Sequence, residues 1–318
     1  MKEPTLAGED DVPGVRAESV PAPIIEVRQD ECSTRFSSNN LIGLSGTEKL
    51  GIHMSQDGIA GLRASIVDAR EVLGSLGENE WHQPSAAEGW SVLDVALHMG
   101  DLLDILMSAV RNELVAGDLG IEQLNNQRVA QKRMLQSSWE LEEFDRQSQA
   151  ALKLFGDLQA EPFASTRVPF LDLGTYPLHL MPDLCAFDFY THLRWDILSP
   201  RGPLQHVANE SDEVRLKPSI GWLLAGLSQM QPGLEGFLSE PLRLILGGPG
   251  GGDWDLVPTS DGIVVAPHAA AVSVVAEVES TTHLFTAWAT TRLHWHEHVT
   301  VKGDQKAAAA FLDALNLV

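Results

Sequence analysis

Two histidines and an aspartate are the residues of this chain best suited to chemistry by type and spacing. Asp188 and His192 stand four apart in Phe187-Asp188-Phe189-Tyr190-Thr191-His192, and His98 ends the apolar stretch Val92-Leu93-Asp94-Val95-Ala96-Leu97. On a helix, side chains at i and i+4 share a face, one turn apart. Asp188 and His192 can therefore offer an oxygen and a nitrogen to one point. His98, from a facing helix, would close a three-ligand centre, the way helix bundles build metal sites. Two imidazoles and a carboxylate leave coordination positions open for water or substrate, as catalytic zinc and non-haem iron require. The same spacing also suits an ordinary hydrogen bond within a helix, and His98 alone also reads as a core or surface histidine.

Other residues invite a role and an ordinary alternative. Asp196, eight residues after Asp188, is placed either to orient a ligand histidine or to sit as a surface acid at a helix end. Arg292 is the candidate catalytic residue, able to clamp a carboxylate bidentately if it reaches a cleft; otherwise it is an exposed loop arginine. His294, His296 and His298 alternate, so two would share a face if the segment were a strand; we read them as the solvated start of a strand rather than a second metal site. Gly247–Gly252 lacks a following Lys-Ser or Lys-Thr and runs into strand-like residues, which fits a hairpin turn and not a phosphate cradle. Cys185 reads as core.

The elements needed to position these residues are legible as patterns. Ile59, Leu62, Ile66 and Val72–Leu73 recur at helical spacing over residues 59–76. Ser91, followed by Asp94, opens a second helix that runs to about Ala116 before Gly117. A third covers roughly 122–157 with room for a break, and a fourth runs from Leu178 to Leu198, closed by Pro200 and Gly202. These predict a four-helix bundle over 54–203. Residues 204–318 predict a small α+β domain. Its helices are expected over 220–237, 282–290 and 305–315, and its strands over 242–246, 254–257, 263–266, 272–278 and 299–301. Residues 1–53, rich in Pro, Glu, Asp and Ser, read as a disordered extension; with Met54 opening the patterned part, a mis-assigned start is the alternative.

Composition removes several function classes. The chain has 22 Lys and Arg against 44 Asp and Glu, a net charge of −22, which repels nucleic acid and anionic membrane surfaces. Cys32 and Cys185 form no C-x-x-C pair, excluding a zinc ribbon or thioredoxin-like motif, and so few thiols fit a reducing cytoplasm. No apolar run approaches the roughly 20 residues of a membrane span, and the first residues do not pattern as a signal peptide.

Glu88-Gly89-Trp90-Ser91-Val92-Leu93-Asp94-Val95-Ala96-Leu97-His98 resembles the second-helix signature of the mycothiol-dependent maleylpyruvate isomerase family, whose N-terminal domain is DinB-like. Asp188 to Asp196 is similar to its second signature: an acid, a histidine four later, then Asp-Ile. The runs Trp295–Asp304 and Phe311–Asn316 resemble its C-terminal domain, which is sterol-carrier-like. Together these span roughly residues 54–318. The resemblance implies His98, Asp188 and His192 as ligands of a divalent metal, zinc by expectation, with mycothiol as cosubstrate. It also implies a mycothiol-making actinobacterial source. One departure matters: the isomerase has Glu where this chain has Asp188, one methylene shorter, which puts maleylpyruvate in doubt as the substrate. The expected activity is thiol transfer or thiol-assisted cis–trans isomerisation of a small electrophile by a cytoplasmic monomer or homodimer. The alternatives are a metal-dependent hydrolase that needs no thiol and a non-catalytic small-molecule-binding protein.

Overall fold

Ser91 begins the element that carries His98. Its hydroxyl accepts the Asp94 N–H at 3.2 Å while the Asp94 carboxylate accepts the Ser91 N–H at 2.9 Å, a reciprocal cap that satisfies two otherwise orphaned donors. In the computed structural model, which describes residues 47–134 and 137–317 (side chains over 57–134 and 141–317), this helix is α3, Val92–Val110. It is preceded by α1, Thr47–Gly74, and the single turn α2, Glu78–Trp81. It is followed by α4, Ile121–Lys132, and α5, Ser137–Asp157. The long third helix expected from the sequence is thus two helices. α1 starts within the stretch read as an extension, and the expectation for residues 1–46 lies outside the described residues.

The short hairpin β1 (Arg167–Pro169) and β2 (Thr175–Pro177) leads into α6, Met181–Thr191. Ten of the eleven residues of α6 are buried, including Asp183, so the helix is enclosed by its neighbours rather than amphipathic. α6 packs against α1, α3 and α5, and α1 and α3 each pack against α5. The helix does not stop at Thr191. It continues as a π-helical turn over His192–Ile197, with the Leu198 N–H bonded to the Leu193 carbonyl five residues back at 3.0 Å. π-turns of this kind are concentrated at functional sites.

α7, Glu213–Gly226, packs against both α1 and α6. It starts earlier than the sequence suggests because Asp212 caps it, accepting the Arg215 N–H at 3.1 Å. Five strands follow: β3 (Leu242–Gly247), β4 (Gly252–Thr259), β5 (Gly262–Pro267), β6 (Ala276–Thr281) and β7 (Thr300–Gly303). They form one sheet in the order β5-β4-β3-β6-β7, antiparallel except for the parallel pair β3–β6. β3 and β4 are joined through Gly248–Gly251; Gly250 has φ +70°, and a Cβ there would collide with the Lys217 backbone of α7. α8 (Thr282–Trp288) links β6 toward β7, and α9 (Gln305–Ala314) follows β7. β6 begins four residues later than predicted: Val272 and its neighbours form a loop, and pairing begins where Ala276 meets Leu242. Hydrophobicity marked the segment, and the partner strand set its register. The molecule is thus mixed helix and sheet, with a helical layer and a mixed sheet carrying α8 and α9.

Candidate metal centre

The π-turn strings Asp188, His192 and Asp196 along one side of a continuous helix. His192 lies between the two acids. Its Nδ1 is 2.8 Å from Asp196 Oδ2 and its Nε2 is 3.5 Å from Asp188 Oδ1. His98 reaches across from α3 with Nε2 3.2 Å from the same Asp188 oxygen. One donor atom from each of His98, Asp188 and His192 lies within 4.8 Å of the others, the only such group among the described residues.

The hydrogen-bonding arithmetic shows what this cluster lacks. A carboxylate only accepts, so His192 Nδ1–H donates to Asp196, which in the neutral ring leaves Nε2 as a lone pair. That lone pair faces the carboxylate of Asp188. Two acceptors this close need a proton or a cation between them. Asp188 Oδ2 and His98 Nδ1 are also buried without a partner. The donor set, two nitrogens and one oxygen with open positions, fits a divalent ion of the zinc or non-haem iron kind. Without an ion, Asp188 is pushed up by burial, but the charges of His98 and His192 outweigh this and hold its carboxyl below the usual range. Burial depresses His98, and the Asp188 carboxylate beside it more than compensates, so its pKa is raised.

Asp196 is 1% exposed, which removes the surface-acid reading. Besides His192 it takes Arg292, with Nη2 3.0 Å from Oδ2, and Arg201. Burial opposes its ionisation, but the hydrogen bond and charge of His192, with those of Arg292, hold it ionised far below the ordinary carboxylate range. Arg292 therefore lies in the cavity wall, as a cleft residue would, but its fork is spent on Asp196 and is not held open for a substrate carboxylate. The approach of Arg292 depends on backbone strain. Thr291 adopts φ +56°, costly for a β-branched residue, and the Arg292 N–H is bonded to the Ala287 carbonyl at 2.9 Å.

The triad opens into a cavity of about 470 Å³. Its lining includes α4 and Trp90, and also Trp222, Met230, Thr290–Arg292 and Leu317. Trp90 lies over both imidazoles, with ring centroids 5.1 Å from His98 and 6.4 Å from His192, and its indole N–H is tied to Asn126 Oδ1 at 2.9 Å. Sequence reading missed Trp90, Arg201 and the α4 wall. In the sequence Trp90 is one residue of a helix-start signature, and no local pattern says that α4 packs against α3. The other histidine run does not converge: Trp295–Glu297 is a 3-10 turn and not the start of a strand, His296 stacks on Trp295 at 3.7 Å, and His294 and His296 are exposed. Cys185 is buried and unbonded, its thiol pushed up by burial, as a packing residue would be.

A helical layer that gathers two histidines and a carboxylate beneath a cavity, closed on its far side by residues of a mixed α/β region, defines a class of protein with a buried centre able to hold a cation. Residues 62–197 match the family model described as the mycothiol maleylpyruvate isomerase N-terminal domain. The fold is similar to crystal structures of the mycothiol-dependent maleylpyruvate isomerase and of a histidine-to-alanine mutant of it. Each is 18% identical with a TM-score of 0.51, covering 78% of this chain and 92% of that chain. No curated protein matches the chain by sequence. No helix among the described residues is long and apolar enough to cross a membrane.

Proposed function

We propose that this protein is a metal-dependent enzyme that uses mycothiol, or a closely similar low-molecular-weight thiol, to isomerise or S-conjugate a small electrophilic substrate. The observation that supports it is the convergence of His98, Asp188 and His192 within 4.8 Å at the base of a cavity large enough for small molecules. We read the helical layer as a DinB-like four-helix bundle and the sheet region as sterol-carrier-like. A divalent ion, zinc by expectation, would lower the pKa of a thiol beside it from about 8.5 and supply thiolate at neutral pH.

The chain's own residues do the positioning. Asp196 fixes the His192 ring so that Nε2 faces the centre. Arg201 and Arg292 keep Asp196 ionised and still. Two guanidiniums share one carboxylate there, so the net positive charge at that end of the cavity favours an anionic electrophile through its field and not through a bidentate clamp. Trp90 covers the imidazoles and limits water. With Asp188 in place of the isomerase's Glu, the electrophile is left as a small unsaturated or otherwise thiol-reactive compound.

Elemental analysis of the purified full-length chain tests this. About one divalent ion per chain is expected, with both the metal and mycothiol-dependent turnover lost in His98→Ala and His192→Ala. Absence of metal after zinc addition would overturn the reading, and turnover without any thiol would favour a hydrolase.

A further inference from the structure

Two adjacent asparagines on α4 behave oppositely. Asn126 is exposed and fully used: Oδ1 accepts from Trp90 and Nδ2 donates to the Glu122 carbonyl at 2.9 Å. Asn125 is 4% exposed and lines the cavity, yet its side chain makes no hydrogen bond to any described residue, and its Oδ1 is buried without a partner. A buried amide left unpaired costs stability, and replacing it with an apolar residue should be neutral or favourable to folding. Packing therefore gives no reason for an asparagine here. The cavity supplies one: a ligand lying in it can take the hydrogen bonds the protein does not.

The company Asn125 keeps narrows the ligand. Glu122 lies one turn before Asn125 on α4 and Trp90 is tied to the same helix through Asn126, while the guanidiniums of Arg201 and Arg292, which also line the cavity, are held on Asp196. An aromatic face beside an amide and an acid suits a neutral ligand rich in hydroxyl and amide groups, and the acid disfavours an anion. We propose that Asn125 is a specificity-determining residue for the thiol, binding a neutral hydroxyl or amide group of it along the α4 wall. This rests on the thiol-using function above.

The test is calorimetric binding to the full-length, zinc-supplemented protein without any electrophile, comparing mycothiol with ethanethiol, which lacks hydroxyl and amide groups. Asn125→Leu is expected to weaken mycothiol binding about three- to tenfold, the effect of losing one or two hydrogen bonds. Ethanethiol binding and metal content should stay unchanged, and the melting temperature should stay equal or rise. Asn125→Ala, which cannot overpack the site, should weaken mycothiol similarly. Unchanged mycothiol affinity in both variants would overturn the inference and leave the thiol function standing. No mycothiol binding by the unsubstituted protein would overturn both.

Discussion

Two buried polar clusters draw on the same short segment and are built to opposite ends. Arg194 of the π-turn joins Asp68 of α1, Arg215 of α7 and Asn209. Asp68 Oδ2 accepts from Arg215 Nε at 2.6 Å, and Oδ1 accepts from Arg215 Nη2 at 2.8 Å and Asn209 Nδ2 at 2.6 Å. Both carboxylate oxygens are paired, bidentately to one guanidinium, the strong geometry for such a pair. Two residues away on either side, His192 and Asp196 serve the cavity, where His98 Nδ1, Asp188 Oδ2 and Asn125 Oδ1 have no partner. In the first cluster both Asp68 oxygens are paired, Arg194 Nε is its one buried atom without a partner, and it joins three helical segments. The second is satisfied around Asp196, while His98 and Asp188 each keep one buried atom without a partner. Unpartnered buried atoms occur elsewhere among the described residues too, as at Asp183 and Gln147; what sets the second cluster apart is that His98, Asp188 and Asn125 line a cavity.

The comparison can be broken from the structural side first. Asp68→Ala should cost about 3–5 kcal/mol, because it leaves buried guanidinium groups unpaired, while metal content per folded chain stays the same; urea unfolding measures the first and elemental analysis the second. A loss of metal in the folded variant would show the clusters are not separable. The same acid predicts a pH dependence. Burial raises the pKa of Asp68, but the hydrogen bonds from Arg215 and Asn209 and the charges of Arg215 and Arg194 lower it more. A carboxyl depressed in the folded state stabilises fully above its unfolded value of about 3.9. That contribution disappears as pH falls from there through the folded value. Acid unfolding of Asp68→Asn should therefore be shallower below about pH 4 than in the unsubstituted protein, and equal steepness would remove Asp68 from the account.

From the site's side, Asp196→Asn should weaken metal binding about 10- to 100-fold, since Asn keeps the shape but loses the charge that His192 Nδ1–H and two arginines require. Competition with a chelator gives the number, and an unchanged affinity would reduce Asp196 to a structural acid. The smallest effect is expected at the histidine run that looked similar in sequence. His296→Ala should leave metal content unaltered and change stability by less than about 0.5 kcal/mol, the range of surface substitutions. Metal loss there would point to a second centre.

Residue types and helical spacing offered His98, Asp188 and His192 as candidates beside an ordinary helical hydrogen bond, and the resemblance of the surrounding segments to a known family singled them out; both are local patterns that survive in one dimension. The same local physics marked the Gly247–Gly252 hairpin, the start of α3 at Ser91 and the excess of negative charge. Contacts between distant segments were not legible. Asp196 was ambiguous until burial placed it against His192. Arg292 reached the cavity, but a strained Thr291 and the long-range pairing with Asp196 decided what its guanidinium holds. Asn125 was silent in the sequence, because an unpartnered amide is defined by everything that fails to surround it. Sequence alone determined which side chains could form a centre; only the packing of α3, α4 and the π-turn decided which polar atoms are satisfied by the protein and which are left for a ligand.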